Sequence, residues 1–517
     1  MVLVPVGLSV VVHGSVLDHF FFFDDFMNLY ELRTSEPLDF VIRPHAGHLS
    51  IVRNLVFYLT YAVAGLDPRP YFASVLAIHA LNAALVFGVI RRFSGRAGPA
   101  VLAAGLWGVA PVQQGALGWY AVFGHAHALL FLLLVLWDLA GHQRDGRSPS
   151  GARLVGWSAL LVLGSTTFGV GVAVALVSGP AIYLVLHDDP RRRRILIGVG
   201  SSAIVVLLLH VGLRFVYGGV EQMGGMLPAA VHPDALSRVP LLILHLVAFG
   251  AASLLAGPLM WTGQAWNREP VFLGSVDELW MLAFGVTAVA AALVGLIATM
   301  RDRRLRSRLS ALFLLVFASY GLIAIGRWWL ANERGFQGVA VETRYHYLAT
   351  ALLAIGLGLV LAELRPSKPA LRRAALALGT LWLAGAAGLG WKAVRTDGWR
   401  DITHRSHREY DKVVDAISRT ARDAPEGAHP RLPNLPLEDM VAFNLGVRFP
   451  NWAGVHIIAF PEGGFEDRRV RYVEFRQDVR LRLRAEGHRR AARLVVRPNA
   501  GEKAPVRKPV FRPVWPQ

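Results

Sequence analysis

The fold is decided by stretches such as residues 70–92, PYFASVLAIHALNAALVFGVIRR, which hold no Asp, Glu, Lys or Arg until the closing Arg91-Arg92. About 20 apolar residues suffice to cross the hydrocarbon of a bilayer. Paired arginines at one end of such a run mark the cytoplasmic side. Similar runs lie near residues 2–22, 98–116, 122–140, 153–167, 169–187, 195–217, 279–300, 309–327, 345–363 and 373–393, so eleven spans are expected in all. The whole chain agrees: of 517 residues 54% are hydrophobic and only 17% charged, with a mean hydropathy of +0.41. Water-facing folds carry nearer a quarter charged residues. A cytosolic enzyme, a disordered chain and a fibrous repeat are thereby excluded, and a polytopic all-α membrane protein remains.

The net charge of +18 would point to nucleic acid in a soluble protein, but here it falls in clusters between spans. Arg91-Arg92 with Arg96, Arg144 with Arg147, Arg191 to Arg194, Arg301 through Arg308 and Arg365 through Arg373 all read as cytoplasmic. No nucleic-acid partner is expected, and the membrane lipid itself is one. The count closes from a cytoplasmic N-terminus only if the apolar stretch at 240–259 does not span. Residues 218–278 therefore read as one outer excursion carrying a re-entrant or surface-lying helix. The first span has no small-residue cleavage site, which argues against a cleaved signal peptide. With no cysteine in the chain, disulfides, thiolate metal sites and a thiol nucleophile are ruled out.

Residues 1–394 thus form the multispan domain, and 395–517 read as a small soluble α+β domain outside the membrane. That tail holds 24 Lys/Arg against 16 Asp/Glu and no long apolar run. Within it, Val470–Phe475 and Val455–Phe460 carry strand patterning, and Lys503 to Gln517 is basic and proline-rich. The location expected from these signs is the plasma (inner) membrane of a bacterium.

The sharpest local signal is Phe20-Phe21-Phe22-Phe23-Asp24-Asp25-Phe26. Two adjacent carboxylates end an apolar span at the outer face, where charge is costly and function is the default reading. Their mutual repulsion should raise one pKa, so that one group serves as a base, or the pair can hold a divalent cation such as Mg or Mn. No other cofactor is called for. Arg43, His45 and His48 follow within six residues and can bind an anion such as phosphate, although solvated loop residues would look the same. His125 and His127 start a helix, where side chains two apart diverge, so a metal site built on this pair alone is not expected. Trp119-Tyr120 reads as an interfacial aromatic belt, and His79 as a packing or hydrogen-bonding residue. Arg344, in Glu342-Thr343-Arg344-Tyr345-His346-Tyr347, either snorkels to the interface or meets a lipid phosphate. There is no phosphate-binding loop, dinucleotide fingerprint or nucleophile elbow.

Taken together these residues resemble a family. The span ending in Asp24-Asp25, the Arg43-Pro44 loop, Tyr58 to Phe87, Leu106 to Leu134 and Glu342 to Tyr347 are similar to the corresponding parts of GT-C-fold membrane glycosyltransferases. Within that class the likeness is to the protein O-mannosyltransferase branch, which includes the transmembrane and tetratricopeptide-repeat O-mannosyltransferases. It covers residues 15–135 well, is patchy to about 365 and ends before 395; the repeats themselves are missing. The resemblance implies a sugar donor linked to polyprenyl phosphate and an acceptor that is a protein, glycan or lipid, with chemistry at the non-cytoplasmic face. It assigns a catalytic carboxylate to Asp24 or Asp25 and the lipid phosphate to Arg344, with Arg43, His45, His48, His125, His127 and Tyr347 as substrate-binding candidates. Three positions depart from the family pattern. Gly115 and His127 stand where acidic residues are usual, and Ser165-Thr166-Thr167 replaces a charged Ser-Lys-Glu element, which leaves the metal and the second acidic group open. A transporter or flippase of a lipid-linked intermediate, or a non-catalytic envelope assembly protein on the same scaffold, are the alternative readings.

Overall fold

The computed structural model describes residues 1–44, 48–223, 233–255, 302–364, 368–396 and 398–422, with short segments at 286–287, 290, 474–477 and 492–495. The chain divides into two compact units, one of residues 1–25 and 35–404 and a second of 26–34 and 405–517. The first is a bundle of helices. Among the described residues seven helices are long and apolar enough to cross a membrane, or eight if one bent pair counts as a span.

The expected spans at 70–90, 122–140, 195–217, 309–327, 345–363 and 373–393 correspond to the helices Pro68–Ser94, Gly124–Asp145, Arg192–Met223, Arg303–Arg327, Tyr347–Glu363 and Pro369–Thr396. Their ends follow local chemistry. Asp67 caps the Pro68–Ser94 helix by accepting from the Arg69 amide (3.1 Å), with Pro68 pre-set at the first position. Gly95 closes it in the left-handed conformation (φ +71), as helix C-termini favour. Asp302 likewise caps Arg303–Arg327 through the Arg304 and Leu305 amides.

Several expectations are corrected. The first span is only Leu3–His13 followed by one 3-10 stretch, Gly14–Asp18, after which the backbone becomes extended at His19. The expected 98–116 span bends by 52° at Ala110, between Ala97–Val109 and Pro111–Leu117, because proline has no amide to continue the ladder. The spans at 153–167 and 169–187 are short apolar helices, Gly151–Ser165 and Gly169–Val185. Residues 240–255 are not a separate surface-lying segment: they continue the Pro233–Leu255 helix, whose Ser237–Leu255 portion has span length, and 256–259 lie outside the described residues. Leu242, Leu246, Ala248 and Ala252 of that helix are fully buried, and it packs on Arg303–Arg327 and Tyr347–Glu363. Its apolar side is covered by other helices, which a hydropathy count cannot distinguish from exposure to lipid. Residues 279–300 lie almost wholly outside the described residues.

Helices approach closely where small residues meet. A Cβ on Gly179 would stand 3.1 Å from Gly200 Cα, which lets Gly169–Val185 lie against Arg192–Met223, the usual packing of membrane helices. Deeper in the bundle a polar network joins three helices. His79 Nε2 meets the Gly108 carbonyl (3.1 Å) and must donate to it, so in the neutral ring Nδ1 accepts from the Tyr347 hydroxyl (2.9 Å). That hydroxyl in turn accepts from Asn82 (3.3 Å). Tyr347→Phe leaves His79 Nδ1 without its donor and should cost about 1–3 kcal/mol, measured as a lower melting temperature in detergent.

In the second unit Phe26 stacks on Tyr410 (6.0 Å between ring centres). Glu474–Gln477 pairs antiparallel with Ala492–Val495, Phe475 opposite Leu494. The expected strand at 470–475 is thus met from Glu474 onward, and Val455–Phe460 lies outside the described residues.

Candidate functional site

The two carboxylates sit on a tight turn. The Phe22 amide donates to Asp25 Oδ2 (2.9 Å), and the Asp25 amide donates back to the Phe22 carbonyl (3.0 Å). This reciprocal pair opens the Asp24–Thr34 helix and leaves Phe23 and Asp24 at the corner, both half-buried. Phe23 takes φ +50 and is the only non-glycine with positive φ among the described residues. For a bulky side chain this is a true outlier, costing about 1–3 kcal/mol.

The turn leans on Trp119. Phe22 and Phe23 both meet its indole edge-to-face, at 5.6 and 5.9 Å. The Arg344 guanidinium lies over the same indole, 5.1 Å from the ring centre, a cation–π arrangement. Arg344 also pairs with the buried Glu342 (3.3 Å), and Asp24 is within electrostatic range of it. Trp119 and Tyr120 are therefore not an interfacial belt: both are buried, and Trp119 is the surface on which the N-terminal turn and Arg344 meet.

The two carboxyls have separate environments. Asp25 is fully buried, and its pKa is pushed well above the usual carboxylate range. Burial is the main cause, with the neighbouring Asp24 charge adding to it; the Phe22 amide, the Ala121 backbone and Arg53 pull the other way. Desolvation thus outweighs the like-charge repulsion that the paired sequence suggested. The folded state binds this proton more tightly than the unfolded chain does, so ionised Asp25 costs stability above its folded pKa. That cost fades as pH falls through the folded pKa toward the unfolded value of 3.8. Asp25→Asn should accordingly be more stable than wild type at pH 8, and the gain should shrink toward pH 4. Melting curves of both proteins across that range check the sign.

Of the other candidates, His125 and His48 belong to the same neighbourhood. The His125 ring lies 4.3 Å from Phe168 and the His48 ring stacks on Phe168 at 4.8 Å. His125 is within electrostatic range of both Arg344 and His48, and its buried Nε2 has no hydrogen-bond partner among the described residues. His127 diverges as helical spacing requires, with its ring on Phe123 (4.9 Å). Arg43 pairs with Asp39 one helical turn back, and none of its described contacts reaches Trp119 or Arg344. Tyr347 is wholly buried and committed to His79 and Asn82. His45 lies outside the described residues.

Sequence reading passed over Arg53. It is buried inside the apolar Ile51–Ala64 helix and donates to the Ala121 carbonyl (3.0 Å) and to Asn54 (3.0 Å). A lone arginine in an apolar run was the available signal. The three departures from the family pattern also acquire local reasons. A Cβ at Gly115 would overlap Thr343 Oγ1 and the Arg344 backbone nitrogen, so the Arg344 backbone occupies the space an acidic side chain would need. Gly115→Ala should displace that segment and lower activity and stability together, measured by turnover and melting temperature. His127 is held against Phe123. The hydroxyls of Ser165, Thr166 and Thr167 bond carbonyls three residues earlier (2.7–2.9 Å), finishing the Gly151–Ser165 helix. Among the described residues there is no group of three or more His, Asp or Glu that could hold a metal ion.

No family model matches the chain and no curated protein does. Among solved structures it is similar to ArnT from Cupriavidus metallidurans bound to undecaprenyl phosphate. The TM-score is 0.47 and the identity 16%, over 88% of this chain and 87% of that one.

Proposed function

We propose that this protein is a GT-C-like membrane glycosyltransferase that moves a sugar from a polyprenyl-phosphate donor to an acceptor hydroxyl at the non-cytoplasmic face. The observation that supports this reading is Trp119, on which Phe22 and Phe23 of the turn before Asp24 and the Arg344 guanidinium all pack, with Asp24 in electrostatic range of Arg344. Such a donor has a long apolar tail suited to helices and lipid, and an anionic leaving group suited to a guanidinium. Arg344 spends part of its five-donor fork on Glu342 and Tyr345, and its charge and remaining donor capacity serve a phosphate.

In the reaction Asp24 accepts the proton of the acceptor hydroxyl as its oxygen bonds to the anomeric carbon. The anomeric C–O bond to phosphate breaks, its electron pair leaves on the phosphate, and Arg344 meets the added charge. Asp25, buried and bonded to the Phe22 amide, holds the turn. His125 and His48 flank the same neighbourhood through the Phe168 ring. Residues 395–517 are read as an extracytoplasmic domain of a bacterial inner-membrane enzyme, and the acceptor is a protein, glycan or lipid.

The test is chemical. Purified protein in proteoliposomes is given undecaprenyl phosphate mannose, and free undecaprenyl phosphate is followed with an acceptor extract. Release that depends on the acceptor supports transfer. Movement of intact donor between leaflets without release would identify a flippase.

A further inference from the structure

His346 shares the Glu342 to Tyr347 motif with Arg344, and the chemistry above gives it no part. Its ring is fully buried and reaches back six residues, where Nε2 lies 2.6 Å from the Ala340 carbonyl. A carbonyl only accepts, so Nε2 carries the proton, and in the neutral ring Nδ1 accepts from the Tyr320 hydroxyl at 2.9 Å. Ala340 ends the Leu330–Ala340 helix, and His346 ends the 3-10 stretch Thr343–His346. The imidazole therefore closes residues 340–346 into one loop, and Arg344 lies inside it. Two further helices hold the ring. Tyr320 comes from Arg303–Arg327 and meets the imidazole edge-to-face at 5.6 Å, while Phe249 of Pro233–Leu255 lies against it at 4.8 Å. The adjacent Gly250 lets the hydroxyl arrive, since a Cβ there would overlap it.

We infer that His346, oriented by Tyr320, is a positioning residue for Arg344, and that the loop it closes holds the guanidinium over Trp119. The inference rests on the transferase reading above and deepens it, because there Arg344 meets the phosphate of the donor. An arginine side chain is long and rotamer-rich, so its head is placed only as well as its anchors are. Glu342 and Tyr345, which engage the guanidinium, belong to the same loop and move with it. They cannot fix Arg344 against Trp119, which comes from a distant segment. The bond from His346 to Ala340 ties the two ends of the loop together, and the Tyr320 hydroxyl ties the loop to the bundle. A buried polar network with its bonds satisfied holds a single geometry. Displacement of a site group by about 1 Å can cost on the order of a hundredfold in rate, so this clasp bears directly on how the phosphate is met.

The experiment compares full-length wild type, His346→Phe, His346→Gln, Tyr320→Phe, Arg344→Gln and the double variant Arg344→Gln/His346→Phe in nanodiscs. Three quantities are measured for each. They are the melting temperature, the binding of undecaprenyl phosphate relative to undecaprenol, and, where Arg344 is present, the rate at which phenylglyoxal modifies it relative to the buried Arg53, read by peptide mass spectrometry. His346→Phe and Tyr320→Phe should raise the Arg344 to Arg53 ratio severalfold. They should also cut the preference for the phosphate lipid by about tenfold, the scale of one hydrogen bond to a charged group. His346→Gln, whose amide can still donate to Ala340, should stay near wild type in both readouts. The double variant should show the preference of Arg344→Gln alone, because the imidazole acts only through the guanidinium. Tyr320→Phe keeps the ring volume and the bond to Ala340, so its result stands if His346→Phe folds poorly. A lower melting temperature with ratio and preference unchanged makes His346 a structural residue and overturns the inference. A further loss in the double variant also overturns it, by giving the imidazole a lipid contact of its own. Equal binding of the two lipids by wild type removes the phosphate reading, and the modification ratio then decides the clasp by itself.

Discussion

Asp24→Asn should lower sugar transfer by about a hundredfold or more, the usual contribution of a positioned general base, with little change in melting temperature. The carboxyl sits half-buried at the corner of the turn, and the bonds that close the turn belong to Phe22 and Asp25. Asparagine keeps the size of the side chain and leaves those two bonds in place. Asp25→Asn is the paired control. Its side-chain oxygen can still accept from the Phe22 amide, so transfer should stay within about tenfold of wild type, well short of the general-base loss. Turnover measured on both variants decides the assignment. Wild-type rates in Asp24→Asn with collapse in Asp25→Asn would reverse it, and wild-type rates in both would remove the carboxylates from the chemistry.

Arg344→Gln should be the second severe loss, on the order of a hundred- to a thousandfold in rate, as for removal of a donor that meets developing negative charge. It also strips Glu342 of its partner. Glu342 is largely buried, its side chain 8% exposed against 20% for Arg344, so an unpaired carboxylate there destabilises the fold. The double variant Arg344→Gln/Glu342→Gln separates the two effects. Stability should return in the double variant, whereas the rate should not. Arg344→Lys should fall between, since an ammonium keeps the charge but lacks the planar fork. Recovery of the rate along with the stability in the double variant would reduce Arg344 to a structural partner of Glu342.

Much of the bundle was readable along the chain because burial in a membrane needs long apolar runs, and Pro68–Ser94 or Tyr347–Glu363 satisfy that need by composition alone. The errors fall where neighbours decide. Ser237–Leu255 looked expendable as a span because charge clusters were being balanced; its packing against two other helices gave it span-length helical form. Leu3–His13 ended early although apolar sequence continued, since the Phe20–Phe23 run serves the turn at Asp24 rather than a helix. At the site, Asp24, Asp25, Arg344, His48 and His125 all stood out locally as charged or titratable groups at span ends. Arg53 sits in a run too short to read as a span, and Trp119 has the ordinary explanation of a tryptophan near an interface.

By itself the amino-acid order determined that this is a helical membrane protein with acidic groups at an early span end and an arginine at a late one. Those properties follow from hydropathy and charge, which each segment carries independently of its neighbours. Only the tertiary structure decided that Trp119 gathers Phe22, Phe23 and Arg344, that Asp25 rather than Asp24 is the buried carboxyl, and that Gly115 must lack a side chain. Each of these depends on which atoms from distant segments occupy the same few ångströms, and on how much water they exclude.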